Sequence, residues 1–250
     1  MTGSDRPADT WVLVPGAGGE AWYWHLVVPE LQRRGYAAVA VDLPAGDESA
    51  GVDEYADVVV AALAAHRERT GGGGRTFVVA QSMGGLTAPL VCARTRVDLL
   101  VLLNAMIPQP GEVPGDWWET SGFREARRAQ ACRDGWDIED LFEAFMHDVP
   151  ADVRAEAVRR GEPDQTGAPF ASAWPLDRWP DVPTRFLQAR DDRFFPVDFQ
   201  RAQVAQRLGV PFDEIPGGHL VALSRPVELV DRLESFVGPG RPGGADPGSG

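Results

Sequence analysis

Short, mostly apolar runs recur along the chain and alternate with longer segments whose apolar positions repeat every three or four residues. The runs fall at 10–14, 37–41, 76–79, 97–103, 184–189 and 210–215. The first four carry almost no polar alternation and read as strands buried on both faces. Segments 24–34, 52–69, 86–93, 197–208 and 226–237 have helical spacing. Gly35 stops the first of these, and Pro226 sits in the first turn of the last. Strands that alternate with helices predict an α/β fold, a mostly parallel sheet of about six strands with helices on both faces.

The alternation breaks once. After Asn104 come Pro108, Pro110 and Pro114, and then a stretch from 117 to 179 rich in Trp, Phe, Arg and acid. It holds two or three helices, such as 138–147 and 152–160, and no strand pattern. This predicts a helical cap, 105–182, inserted over the C-terminal strand ends, where sheets of this kind bind ligands. The core domain is then 10–104 together with 183–237. The polar segment 1–9 and the Gly/Pro-rich segment 238–250 are expected to be flexible termini.

Composition narrows the partners. The 250 residues carry a formal net charge of −13, which argues against nucleic acid and against an anionic membrane surface. No run is long and apolar enough to span a bilayer, and 1–9 carries no apolar signal core. The two cysteines, Cys92 and Cys132, read as free thiols of a cytoplasmic protein. Neither an HExxH nor a CxxC motif is present, and the 71–74 glycine run lacks a P-loop lysine, so neither metal nor cofactor is expected. The basic residues are all arginine. A small-molecule partner and a monomer or homodimer are the expectation.

Candidate chemistry centres on Ala80-Gln81-Ser82-Met83-Gly84-Gly85, between a predicted strand and a predicted helix. A serine on such a turn is held out from the backbone, and the helix N-terminus behind it favours an oxyanion. A nucleophilic serine needs a base, and the base needs an orienting acid. Of the four histidines, His25 starts a helix and His66 and His147 read as surface. His219 lies in a small-residue loop, Pro216-Gly217-Gly218-His219-Leu220, after the last strand. Asp191 and Asp192 follow the penultimate strand; one is expected to point into the site and the other to pair with Arg190 or Arg193.

Ser82, Asp192 and His219, in that order at strand ends, resemble the α/β-hydrolase superfamily over nearly the whole of 10–237. The likeness in detail is to small serine esterases related to plant methylesterases and hydroxynitrile lyases, through Gly16-Ala17-Gly18-Gly19-Glu20-Ala21-Trp22 and Trp24. The family's His-Gly in that loop is Pro15-Gly16 here, and its first elbow glycine is Ala80. The resemblance implies Ser82, Asp192 and His219 as catalytic residues and the N–H groups of Ala17 and Met83 as the oxyanion hole. It implies a serine hydrolase that cleaves a neutral, partly apolar carboxylic ester or lactone through an acyl-enzyme. The Pro-x-Ala-Gly-Gly loop is also similar to that of acyl thioesterases, and a non-catalytic small-molecule binding protein is the other alternative. In the lyases of the group a lysine stabilises departing cyanide, and this chain has no lysine. Gly16, Met106, Trp117, Phe145 and Trp174 are the candidate substrate-binding residues.

Overall fold

The computed structural model describes residues 8–161 and 163–238. Segments 1–7 and 239–250, most of the expected flexible termini, lie outside the described residues. Asp9, inside the first of these expected tails, is tied in: its carbonyl accepts Ala37 N–H at 2.9 Å and its carboxylate accepts Arg75.

The strands are β1 (Thr10–Val14), β2 (Ala37–Ala40), β3 (Thr76–Gln81), β4 (Leu99–Leu103), β5 (Thr184–Ala189) and β6 (Phe212–Ile215). They form one parallel six-stranded sheet in the order β2-β1-β3-β4-β5-β6. The order reverses beside β1 and β3, so the C-terminal ends of these two strands flank the crevice where such sheets take ligands. β3 runs two residues beyond the predicted run, because the ladder continues through Ala80 and Gln81 until Ser82 breaks it.

Alternate residues of each strand feed two cores, as a period of two requires. Val12, Val14, Val78, Ala80, Leu100 and Leu102 face one side. Against them pack α2 (Val52–Thr70), α3 (Gly84–Arg94) and α9 (Val197–Arg207). Trp11, Leu13, Phe77, Val79, Val101 and Leu103 face the other side. There they meet α1 (Val27–Arg33), α10 (Val221–Ser224) and α11 (Pro226–Val237). α1 starts at Val27, three residues later than the expected 24–34 helix, and a short 3-10 turn, Ala21–Trp24, precedes it.

Between β4 and β5 lie α4 (Trp117–Thr120), α5 (Phe123–Asp134), α6 (Leu141–Met146), α7 (Ala151–Arg160) and α8 (Ala168–Ala171), more helices than the pattern suggested and no strand. α6 starts later than predicted because the Asp140 side chain accepts Glu143 N–H at 2.9 Å and sets the N-cap there. α5, which holds Cys132, is rich in arginine, and two of its four buried positions, Arg127 and Gln130, are polar. No described helix is long and apolar enough to cross a membrane.

His66 is not at the surface. The end of α2 presses it against β1, where its Nε2 meets Thr10 Oγ1 at 3.4 Å. Burial, with Arg69 and Arg67 nearby, pushes its pKa below the ordinary value of 6.5. The fold therefore prefers the neutral imidazole, while the unfolded chain takes up the proton more readily. Its contribution to stability is present above the ordinary value and is lost as pH falls below it. Urea melts between about pH 7 and about pH 5.5, either side of the ordinary histidine value, should show a shallower loss of stability for His66→Gln than for wild type. Identical slopes would mean that His66 contributes nothing to the pH dependence.

Crowding gives a second expectation. A Cβ on Gly85 would lie 2.1 Å from the Met106 carbonyl oxygen, whereas one on Gly167 meets nothing within 4 Å. Gly85→Ala should cost about 3 kcal/mol, at the upper end of overpacking, and Gly167→Ala within about 0.5 kcal/mol. Chemical denaturation of the two variants checks the ranking.

Candidate active site

The β3–α3 connection turns on one residue. Ser82 has φ +51°, left-handed backbone that a non-glycine residue seldom adopts. Three hydrogen bonds hold it there. Ser82 N–H donates to Leu103 O at 3.1 Å, and Ser82 O accepts Gly85 N–H at 3.1 Å and Met106 N–H at 2.9 Å. The turn brings three chain segments into backbone contact, and the glycines follow from that. A Cβ on Gly84 would come within 2.7 Å of Pro15 O, and one on Gly16 within 2.9 Å of Ser82 Cβ. Ala80 lies in the buried strand, and its methyl fits the core, so no glycine is needed there.

Three strand ends supply the polar side chains. Ser82 Oγ is 3.0 Å from His219 Nε2, and His219 Nδ1 is 2.8 Å from Asp192 Oδ2. Asp192 is fully buried and His219 is 1 % exposed. The carboxylate is met only by donors. Oδ1 accepts the N–H groups of Phe194 and Phe195 at 2.7 and 2.9 Å, and Oδ2 accepts Gln188 Nε2 at 3.3 Å besides His219. An ionised carboxylate is an acceptor on both oxygens, which assigns the imidazole proton to Nδ1 and leaves Nε2 free to accept from Ser82. The arrangement can draw a proton from the serine hydroxyl and hold the resulting imidazolium.

Asp191, the neighbouring acid, makes no arginine pair among the described residues. Its Oδ2 accepts Gly217 N–H at 3.0 Å, and its own N–H donates to Gly217 O at 2.9 Å. Arg190 lies instead 3.8 Å from Glu214. The histidine loop runs beside the acid turn and offers Asp191 a backbone donor, which displaces the expected charge pair.

Ala17 and Met83 flank Ser82, one from the glycine loop and one at the N-cap of α3. Among the described residues neither backbone N–H donates to a protein acceptor. The glycine loop is braced from the cap and from the segment after β2. Gly18 N–H donates to Gln165 Oε1 at 3.0 Å, and Leu43 N–H reaches Gly19 O at 2.8 Å.

The candidate substrate-binding residues divide. Gly16 lies against Ser82, and the Phe145 ring is 5.2 Å from the His219 ring. Met106 is buried and meets the site through its backbone, as the brace on Ser82 O. Trp117 packs among Phe123, Phe195 and Phe199, one layer behind. Trp174 spends its indole N–H on Leu86 O at 2.9 Å, fixing the cap to α3. His25 Nδ1 lies 2.8 Å from Trp22 O, and its ring stacks on Trp22. His147, expected at the surface, has Nε2 buried beside Gly218. A surface cavity of about 590 Å³ opens on the outer side of the acid turn, lined by Gln130, Trp136, Asp191 and Arg193 among others, and neither Ser82 nor His219 reaches it.

Several supporting residues escaped sequence reasoning. Asn104, fully buried at φ +46°, donates from Nδ2 to His219 O at 2.9 Å and accepts Ala189 N–H on Oδ1 at 2.7 Å. Phe194 and Phe195 face the imidazole at 5.2 and 5.3 Å. The signal for Asn104 and Gln188 was a polar side chain in or at the end of a buried strand, a position that demands hydrogen-bond partners.

Residues 11–232 match the alpha/beta hydrolase family. The chain is 27 % identical to a pyrethroid hydrolase of Sphingobium wenxiniae, across 95 % of each chain. It is 25 % identical to an alpha-hydroxynitrile lyase of Arabidopsis thaliana, across 90 % of this chain and 96 % of that one. Among solved structures, polyneuridine aldehyde esterase superposes with a TM-score of 0.72 at 21 % identity, covering 92 % of this chain and 100 % of the other. The matched span runs from β1 into α11 and takes in both the sheet and the cap, so the chain belongs to the alpha/beta hydrolase family, with relatives among plant methylesterases, hydroxynitrile lyases and esterases.

Proposed function

We propose that the protein is a serine hydrolase that cleaves a neutral, partly apolar carboxylic ester or lactone through an acyl-enzyme. The observation that carries this reading is the unbroken chain of contacts, Ser82 Oγ to His219 Nε2 at 3.0 Å and His219 Nδ1 to Asp192 Oδ2 at 2.8 Å. A site built only to bind has no need of a base held against a serine and of an acid held against that base. The pyrethroid hydrolase and the esterases among its relatives support hydrolysis.

In this reading His219 Nε2 takes the hydroxyl proton as Ser82 Oγ attacks the ester carbonyl. The carbonyl oxygen becomes an oxyanion, to which we assign the unshared N–H groups of Ala17 and Met83. The imidazolium, steadied by Asp192, passes its proton to the leaving alcohol as the C–O bond breaks. Water then attacks the acyl-enzyme, giving its proton to His219, which returns it to Ser82 as the acid departs. A neutral substrate suits the walls. Phe145, Phe194 and Phe195 face the imidazole, and among the described residues no arginine hydrogen-bonds to Ser82 or His219.

A fluorophosphonate probe should label wild type, fail on Ser82→Ala and label His219→Ala far more slowly. On a panel of activated short-chain esters and acyl thioesters, wild type should turn over many times. Asp192→Asn should lose about three to four orders of magnitude in kcat, as expected when the imidazole is held in the wrong tautomer. Asp191→Asn, which keeps an acceptor for Gly217 N–H, should lose far less. Folded wild type that binds panel members without turning any over would favour a binding protein, and thioester turnover alone would favour a thioesterase.

Cyanohydrin cleavage is the competing chemistry among its relatives, and it leaves an anion that needs a nearby cation. With no lysine in the chain and no arginine bonded at the triad, cyanide release from mandelonitrile should not exceed the blank. Ser82-dependent release faster than any ester turnover would overturn the hydrolase assignment.

A further inference from the structure

We propose that Asp148, in the cap, is a positioning residue for His219. Its carboxylate grips the backbone just before the imidazole, so the seating of the cap sets the aim of the base. The inference rests on the hydrolase reading above.

His219 follows two glycines that are required for different reasons. Gly217 has φ +119°, a conformation that L side chains rarely adopt. Gly218 is needed because the cap comes too close: a Cβ there would lie 2.6 Å from Asp148 Oδ1 and 2.7 Å from His147 Nε2. The loop's other holds come from the sheet side. Asp191 pairs with Gly217 through both of its backbone groups, and Asn104 donates to His219 O. The hold from the cap is Asp148 Oδ2, which accepts Gly218 N–H at 2.8 Å. A backbone N–H on an ionised carboxylate is among the stronger hydrogen bonds a loop can make.

Asp148 is coupled to α6. It follows α6, whose Phe145 ring faces His219, and it precedes Val149, which is buried in the second core and donates to Met146 O at 3.1 Å. A movement of α6 therefore reaches the imidazole twice, through the Phe145 ring and through the Gly218 backbone.

The other carboxylate oxygen points to a role beyond packing. Among the described residues neither Asp148 Oδ1 nor His147 Nε2 finds a protein hydrogen-bond partner, and both half-buried residues line the surface cavity beside the acid turn. An unpaired buried carboxylate oxygen opposes folding. An asparagine could accept the same N–H without a buried carboxylate oxygen. Polar groups left unsatisfied in this way gather where function, not stability, fixed the residue.

The test uses Asp148→Ala, Asp148→Asn and Gly218→Ala on the full chain, with thermal melts, kcat and KM on an activated ester that wild type turns over, and the rate of Ser82 labelling by a fluorophosphonate. Asp148→Ala should lower kcat and the labelling rate by about tenfold to a hundredfold, the scale of a small misplacement of a reacting group. KM should stay within about twofold, because the loss falls on alignment and not on substrate affinity. Asp148→Asn, which keeps an oxygen acceptor, should recover most of kcat. Gly218→Ala, which pushes the carboxylate off without altering it, should reproduce the loss, and it carries the test alone if Asp148→Ala fails to fold. Wild-type kcat in either disruptive variant would overturn the proposal. So would a loss confined to KM, or an asparagine no better than alanine. Wild type with no turnover or labelling at Ser82 would remove the hydrolase reading and this proposal together. Active wild type matched by Asp148→Ala removes only this one.

Discussion

One backbone angle governs this site. Ser82 sits in a conformation worth about 1–3 kcal/mol of strain for a non-glycine residue, and it persists only because its surroundings leave no alternative. Its own amide and carbonyl are claimed by Leu103, Gly85 and Met106, so the ends of β3, α3 and β4 are fixed against one another. Gly16, Gly84 and Gly85 let these segments approach as closely as they do. Any side chain at Gly85 would strike the Met106 carbonyl, and the brace on Ser82 would be lost with it. The hydroxyl reaches His219 as a result of that crowding.

The second constraint is a charge with no water around it. Burying an ionised carboxylate costs several kcal/mol unless its lone pairs are met, and Asp192 is met by His219, Gln188 and two backbone N–H groups of its own turn. The same economy explains Asn104. At the end of an otherwise apolar β4 it links the β5 backbone to the carbonyl of His219, so the acid and the base are referenced to one buried amide. Near the C-terminal ends of β3 and β5, Gln81 and Gln188 donate to His219 O and to Asp192 Oδ2 in the same way.

The central strands β1, β3 and β4 were legible because they are buried on both faces and read as apolar runs, whereas β2, also read as buried, is a half-buried edge strand, as is most of β6. Ser82 and His219 were legible because small residues around a lone polar one at a strand end mark a tight turn that presents its side chain. The structure places Asp192, not Asp191, beside His219, and among the described residues the expected arginine pairing of Asp191 does not appear, since a loop 26 residues away in sequence supplies the donor instead. His66 departs from the surface reading because Thr10, distant in the chain, meets it at the end of a polar helix, while His147 is half-buried, its Nε2 tucked beside Gly218. The braces from Gln165 and Asp148 were hidden for the same reason. Local pattern reports which face of an element is apolar. It does not report which loop a polar tip will reach.

The cap is held unevenly, and that bears on how an ester would arrive. Ser82 is 8 % exposed, so in the proposed reaction something above it has to give way. α5 is anchored: Phe123, Arg127, Gln130 and Ala131 are buried, and Gln130 and Arg127 donate to the backbone of the acid turn at Asp192 and Arg193. α7 buries none of its side chains, and α6 buries only Ala144. Segments with little buried apolar surface open at the lowest free energy. The cheapest motion of the cap is therefore that of α6 and α7 against the fixed α5. That motion would lift Phe145 from the imidazole and draw Asp148 away from Gly218, so the opening that admits a substrate would also release the base, and reseating would restore its aim.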